Sequence, residues 1–389
     1  MRQESISPFQ FFSLFINNFI VISPALLANA VTETAKHDFW ISLAVGYMLG
    51  FLILWALYEF SLRQTNLNAA PATIFGHVAL VFYLLYLFVI LLVTIRLFVL
   101  LIHTYHLPRT PEAVVSLIVL AVACYAAWYG LGSIARISIL IFITTFSVLY
   151  FFPFPVLKDM SFVHLQPVFA QPVDMIGYGA LQALASCLEV FFLYSLIPMV
   201  RFRHSGKRYR LLFWSVGLAL AQNLFFFSLI FFTFGPFLTE KMVFPNIELF
   251  KYFRLGDSFE RVEAVMIILW VNAITLRIAT LIWLCKEEVG RLFHLRSKNV
   301  LLIPLSIIFT FLPFLVIRNI SELLTIYHHA WMYIVPAGIV FYLLSRTHKE
   351  LPSLKNGSDG AGQVKTGHEQ HTGSPSQAHP EQEYPPFPP

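Results

Sequence analysis

Residues 178–210 read YGALQALASCLEVFFLYSLIPMVRFRHSGKRYR. At about 1.5 Å of rise per residue, a helix from Tyr178 to Val200 spans roughly 35 Å, enough to cross the hydrocarbon core of a bilayer. The segment therefore predicts a transmembrane helix. Glu189 stands near its middle, preceded by the small residues Ala180, Ala183, Ala185 and Ser186. A carboxylate at membrane depth is a functional-site candidate by default; the competing reading is a satisfied carboxyl in a helix contact. The basic run at 201–210, with five Lys or Arg in ten residues, marks a loop on the cytoplasmic side.

Composition places the whole chain in the same class. With 58% hydrophobic and 12% charged residues and 40 phenylalanines, the chain is too apolar for a soluble domain. The net charge of +5 sits in loops between apolar runs, so it reports orientation on a membrane and excludes nucleic acid as its explanation. Cys124, Cys187 and Cys285 fall within or at the ends of apolar runs, with neither disulfide nor zinc spacing.

Outward from residues 178–200, the apolar runs predict further helices near residues 8–30, 39–58, 77–102, 113–129, 134–154, 211–234, 262–284, 300–317 and 326–344. The expected fold is an all-α polytopic membrane protein of ten transmembrane helices. With the amino terminus cytoplasmic, the inner segments carry fourteen Lys and Arg and the outer ones eight, which puts both termini inside. Because five is odd, two sets of five helices, about residues 8–156 and 178–345, must enter the membrane from opposite faces. Inverted five-helix repeats of the LeuT type place ligands near the midplane, where the first helix of each half is broken. In the first half that helix holds Asn17, Asn18, Ser23 and Pro24; in the second it holds Ser186, Glu189 and Pro198. Ordinary proline kinks are the alternative.

Arg96 and Arg277 interrupt apolar runs, and snorkelling to an interface is the expected solution for both. His328 and His329 are expected at an outer helix end, without a carboxylate at ligand spacing. Between the seventh and eighth helices, Ile247, Phe250, Phe253 and Leu255 alternate with Glu248, Lys251 and Arg254, the pattern of a short helix on the outer interface. Residues 346–389, rich in Pro, Gly, Ser, His and Gln, predict a disordered cytoplasmic tail in which His368, His371 and His379 are read as solvated.

Four motifs carry a resemblance. FPNIELFKYFRLGDSFERVEAVMIILW at 244–270 resembles the marker segment of the B subunits of spore nutrient germinant receptors, the GerAB-type germination proteins, through Pro245, Gly256, Asp257, Phe259, Glu260, Arg261, Glu263 and Trp270. The same family opens its second helix with Asp-x-Trp-x-Ser, here Asp38–Ser42. Its fourth is entered by Leu-Pro-x-Thr-Pro, here Leu107–Pro111, and Gly130, Ala135 and Arg136 match the turn before its fifth. The chain departs from the family at Asn17, Asn18 and Phe19, where glycine is frequent, and at Ser258, where a large apolar residue is usual. The resemblance implies a fold of the amino acid–polyamine–organocation transporter superfamily in the inner membrane of a bacterial spore, and a role with A-type and C-type receptor subunits. It also implies sensing of a small germinant such as an amino acid, expected at Asn17, Asn18, Ser23, Ser186 and Glu189. An ion-coupled amino acid permease is the rival reading. No ordered nucleophile and base, phosphate loop or metal-spaced cluster points to an enzyme or a cofactor.

Overall fold

The computed structural model describes residues 5–62, 74–151, 160–202, 206–252 and 262–346. In hydrocarbon every backbone polar group needs a partner within the chain, so the long apolar runs fold as helices. The helices are α1 (Pro8–Ile22), α2 (Ala28–Ala35), α3 (Phe39–Leu62), α4 (Ile74–Tyr105), α5 (Glu112–Trp128), α6 (Leu131–Phe151) and α7 (Val173–Leu188). After these come α8 (Gly206–Thr239), α9 (Pro245–Tyr252), α10 (Val262–Leu292), α11 (Leu302–Val316), α12 (Ile320–Thr325) and α13 (Trp331–Arg346). By length and composition, eight segments among the described residues qualify as membrane spans. One of them, Pro8–Ser61, runs for 54 residues and includes α1, α2 and most of α3, while α5 is an apolar helix of 17 residues. By this measure the expected ten separate crossings are not reached, because the first two merge and α5 falls below the length required.

Two helices form the centre. α4 is buried on all sides from Ile90 to Leu101, and α10 is buried continuously from Leu276 to Lys286. α5 and α11 lie outside, with Leu117, Ile118, Val122, Ile303, Ile307 and Leu315 exposed as an apolar belt of the kind that faces lipid tails.

The packing repeats itself. Exchanging the helices of one half for their counterparts in the other maps α3 on α7 to α8 on α1, α6 on α1 to α13 on α7, α6 on α10 to α13 on α4, and α5 on α10 to α11 on α4; all of these contacts occur. The two halves are thus built alike and related by an internal pseudo-two-fold.

Three of the helices are interrupted. α1 passes through a π turn at Ser23–Leu27 before α2 begins; Pro24 in that turn has no N–H to give to the helical ladder. α7 gives way at Glu189 to a 3-10 segment, Glu189–Met199, ending just beyond Pro198. The sequence pointed to both of these interruptions. It did not reveal the third, a π turn at Ile326–Ala330 between α12 and α13. Beyond the second break, Ile6 and Val200 form a bridge, with Ile6 N–H donating to Met199 O and Arg201 N–H to Ile6 O, both at 3.0 Å.

Several expectations change in the folded chain. Arg96 does not snorkel: its side chain is buried, pairs with Glu112 at 2.6 Å and donates to Arg318 O at 2.5 Å. α9 is tucked into the protein rather than lying on an interface, with Ile247, Leu249 and Phe250 buried against α8 and α10 and Tyr105 donating to Glu248 at 2.9 Å. Of the marker residues, Pro245 begins α9, whereas Gly256, Asp257, Glu260, Arg261 and the side chain of Glu263 lie outside the described residues, as does the tail beyond Arg346.

The Asp38–Ser42 motif has a clear physical role. Asp38 Oδ1 accepts the Phe169 N–H at 2.6 Å and Oδ2 the Gln171 N–H at 2.9 Å, and Ser42 donates to Ile176 O at 2.8 Å. These bonds seat the start of α3 against the start of α7. Below them the two helices nearly touch: a Cβ on Gly46 would stand 2.4 Å from Ala180 O.

Candidate functional site

The site is built where the first two interruptions meet the two central helices. Glu189, the residue at which α7 ends, is fully buried, and its Oε1 lies 3.2 Å from Nη2 of Arg277, also fully buried, on α10. Arg277 is therefore not a snorkelling residue. A lone arginine and a lone glutamate at membrane depth are each costly, and pairing them in the protein interior removes both from lipid.

The rest of the guanidinium is held by main chain and hydroxyl. Nη1 donates to Asn18 O at 2.7 Å, one turn before the π turn that follows α1, and Nε donates to Thr94 Oγ1 on α4 at 3.3 Å. The guanidinium carbon stands 5.4 Å from the centroid of the Phe192 ring. Arg277 thus ties together α1, α4, α10 and the 3-10 segment that continues α7. On the carboxylate side, Trp331 Nε1 donates to Glu189 Oε2 at 2.9 Å, and Tyr86 donates to the Glu189 main-chain oxygen at 3.3 Å.

The third interruption supplies the wall opposite. Tyr327 lies in the π turn and Trp331 follows it, four residues on, so the two rings share a face, with centroids 5.6 Å apart. Ser186 and Glu189, three apart, meet them: Tyr327 donates to Ser186 Oγ at 3.0 Å and Trp331 to Glu189.

The expected site residues divide as follows. Asn18, Ser186 and Glu189 are brought to one place. Asn17, one residue away, turns to α6 and donates from Nδ2 to Ser138 O at 2.7 Å, beside a bond of 2.7 Å between Ser13 and Ser138. The side chain of Ser23 lies outside the described residues. Asn18 Nδ2 donates to Leu14 O at 2.8 Å, and the Oδ1 atoms of both asparagines are buried without a partner among the described residues. Glu189 Oε1 and Arg277 Nη2, by contrast, face each other as an ion pair at 3.2 Å.

Sequence reasoning missed Arg277, Trp331, Tyr327, Tyr86 and Thr94 as members of this group. Only Arg277 left a signal, as one of two arginines that interrupt apolar runs. His328 lies in the π turn, with Glu33 3.1 Å from Nδ1 and Asn29 Oδ1 3.3 Å from Nε2. His329 Nδ1 meets the Tyr178 hydroxyl at 2.8 Å.

A family profile described as spore germination protein matches residues 5–321. The chain belongs to the spore germination protein family. Among its relatives, the spore germination protein YfkT of Bacillus subtilis (strain 168) is 26% identical over 255 residues, 64% of this chain and 69% of that protein. Spore germination protein XB of Bacillus anthracis is 22% identical over 281 residues, 70% and 76% of the two chains. Among solved structures, MhsT in complex with L-phenylalanine superposes with a TM-score of 0.61 at 14% identity, covering 88% of this chain and 89% of that one. Mhp1, a nucleobase-cation-symport-1 family transporter, does so with a TM-score of 0.59 at 11% identity, covering 84% and 75%. At such identities the likeness is one of fold, and the fold is the LeuT-like fold of transporters. This spore germination protein is accordingly an integral membrane protein whose family and fold are those of permeases.

Proposed function

We propose that this chain is the membrane subunit of a spore nutrient germinant receptor, in which a small germinant binds between the interruptions that follow α1 and α7 and shifts the subunit between two states. The observation that carries the proposal is the Glu189–Arg277 pair, which is buried and holds the broken segments together. A zwitterion such as an amino acid offers the complement of both, an ammonium for Glu189 and a carboxylate for Arg277, and the unpartnered Oδ1 of Asn18 supplies a further acceptor. A ligand can move a conformational equilibrium only through its different affinities for the two states, and exchange of a protein ion pair for ligand ion pairs is such a difference. The reading includes ten crossings with both termini cytoplasmic, the spore inner membrane as location, and A-type and C-type subunits as partners.

The experiment uses spores carrying Asn18→Ala or Ser186→Val. Asn18→Ala leaves the main-chain bond to Arg277 in place, so each variant should keep its protein level while the germinant concentration for half-maximal response rises at least several-fold. Responses equal to the parent in both would sink the site. The transporter fold favours a second reading, an ion-coupled amino acid permease; for that reading the chain alone, reconstituted in vesicles, must accumulate the amino acid.

A further inference from the structure

On the side of Glu189 away from residues 201–210, segments adjoining all three interruptions meet at His328. The histidine lies in the π turn and is buried. α2, which follows the first interruption, supplies Asn29 and Glu33: Glu33 Oε2 lies 3.1 Å from Nδ1 of the ring and Asn29 Oδ1 lies 3.3 Å from Nε2. α7, which precedes the second, supplies Tyr178 and Gln182, donating to His328 O at 3.3 Å and 3.1 Å. The three segments are thereby clasped at one residue, next in the chain to Tyr327, which donates to Ser186.

The two ring contacts set the chemistry. An ionised carboxylate only accepts hydrogen bonds. The Asn29 carboxamide is oriented by its other bond, Nδ2 donating to Met242 O at 3.3 Å, which leaves the accepting Oδ1 toward the ring. A neutral imidazole has one N–H and one lone pair, so it satisfies one of two acceptors; the imidazolium, with two N–H groups, satisfies both. The other titratable groups here, Tyr178 on α7 and His329 in the turn, bond each other at 2.8 Å, and Tyr178 reaches His328 at its main-chain oxygen and not at the ring. The Glu33 side chain is 61% exposed, which gives protons a route from solvent to the pair. We propose that His328 is a proton-operated clasp: as the imidazolium it joins α2 to the π turn through both ring nitrogens, and when it loses a proton a lone pair faces an acceptor and the clasp loosens as pH rises. The clasp does not depend on what binds near Glu189; that it governs a ligand's access there rests on the proposed function.

The test uses the full-length chain in lipid nanodiscs, in a background lacking the three native cysteines, with Ser186→Cys as a reporter behind the clasp. Its rate of reaction with a methanethiosulfonate reagent is divided by that of Val243→Cys, at an exposed position, to correct for ordinary thiol ionisation. From about pH 5.5 to about pH 8 the ratio should rise about tenfold or more. His328→Gln has no ring proton to lose, and Asn29→Leu, of similar volume, removes the second acceptor so that neutral imidazole suffices. In both, the ratio should cease to vary with pH, and because the two lie on different elements, one serves where the other does not fold. A parent ratio that does not change with pH, or a change that survives in either variant, overturns the proposal. If the profile is as expected while Asn18→Ala and Ser186→Val respond to germinant like the parent, the clasp stands and the reading at Glu189 falls.

Discussion

At the scale of single residues, the Glu189–Arg277 pair sets the strongest expectation. Removing one partner of a buried pair leaves the other charge without compensation, at a cost of about 3–5 kcal/mol, whereas replacing both by apolar residues of similar volume is often neutral. Glu189→Gln and Arg277→Met should therefore each lower the amount of protein in the membrane and its unfolding temperature in detergent. The double variant, Glu189→Met with Arg277→Met, should recover both and still fail to respond to germinant. A double variant no more stable than the singles would show that the pair is not what holds the breaks together, and one that responds normally would show it to be packing alone. The sequence disclosed Glu189 because an isolated carboxylate in an apolar run is conspicuous. It misplaced Arg277 because a run of letters gives depth along a helix but not the direction the side chain faces. Asn17 and Asn18 are neighbours in the chain, yet helical geometry turns them about 100° apart, so one clasps α6 at Ser138 and the other carries the main-chain oxygen that Arg277 grips.

At the scale of elements, the contact between α3 and α7 is the tightest to test. A Cβ on Gly46 would fall 2.4 Å from Ala180 O and 2.7 Å from Ala183 Cβ, both rigid, while one on Gly177, also in α7, would meet nothing within 4 Å. Gly46→Ala should thus destabilise by about 1–3 kcal/mol, the usual cost of overpacking. Gly177→Ala should be neutral or stabilise by up to about 1 kcal/mol through helix propensity. Thermal unfolding of the two variants in parallel separates the effects, and equal behaviour would mean that the helices are less closely apposed than the structure has them. Small residues on α7 signalled this close approach in the sequence, and Pro24 and Pro198 signalled two interruptions. The π turn at 326–330 carried no proline or glycine, so nothing in its local pattern distinguished IYHHA from continuous helix. Its signal lies in tertiary structure, in what Tyr327 and Trp331 touch.

At the scale of the molecule, the pairing of helices under exchange of halves was legible from the count of apolar runs, since two sets of five, an odd number, must enter the membrane from opposite faces. The membrane count was less so, because the turn at Lys36–Asp38 joins α2 to α3 too closely for length and composition to separate them. Orientation makes a direct prediction. In a background lacking Cys124, Cys187 and Cys285, a cysteine at Ser297, exposed beyond α10, should be protected from an impermeant thiol reagent in intact cells, and one at Val243, exposed before α9, should react. Labelling at Ser297 with protection at Val243 would invert the frame. Position 246 is a poor probe because Asn246, the second residue of α9, is buried.

The guanidinium and carboxylate at the centre of the protein also bear on its electrical behaviour. A lone cation that crossed the membrane field would couple a conformational change to voltage by about 2.3 kcal/mol for every 100 mV. Arg277 and Glu189, held together at 3.2 Å, have no net charge, and a rearrangement that carries both moves no gating charge. Under the proposed reading, this pair adds no dependence on membrane voltage to the balance between the two states.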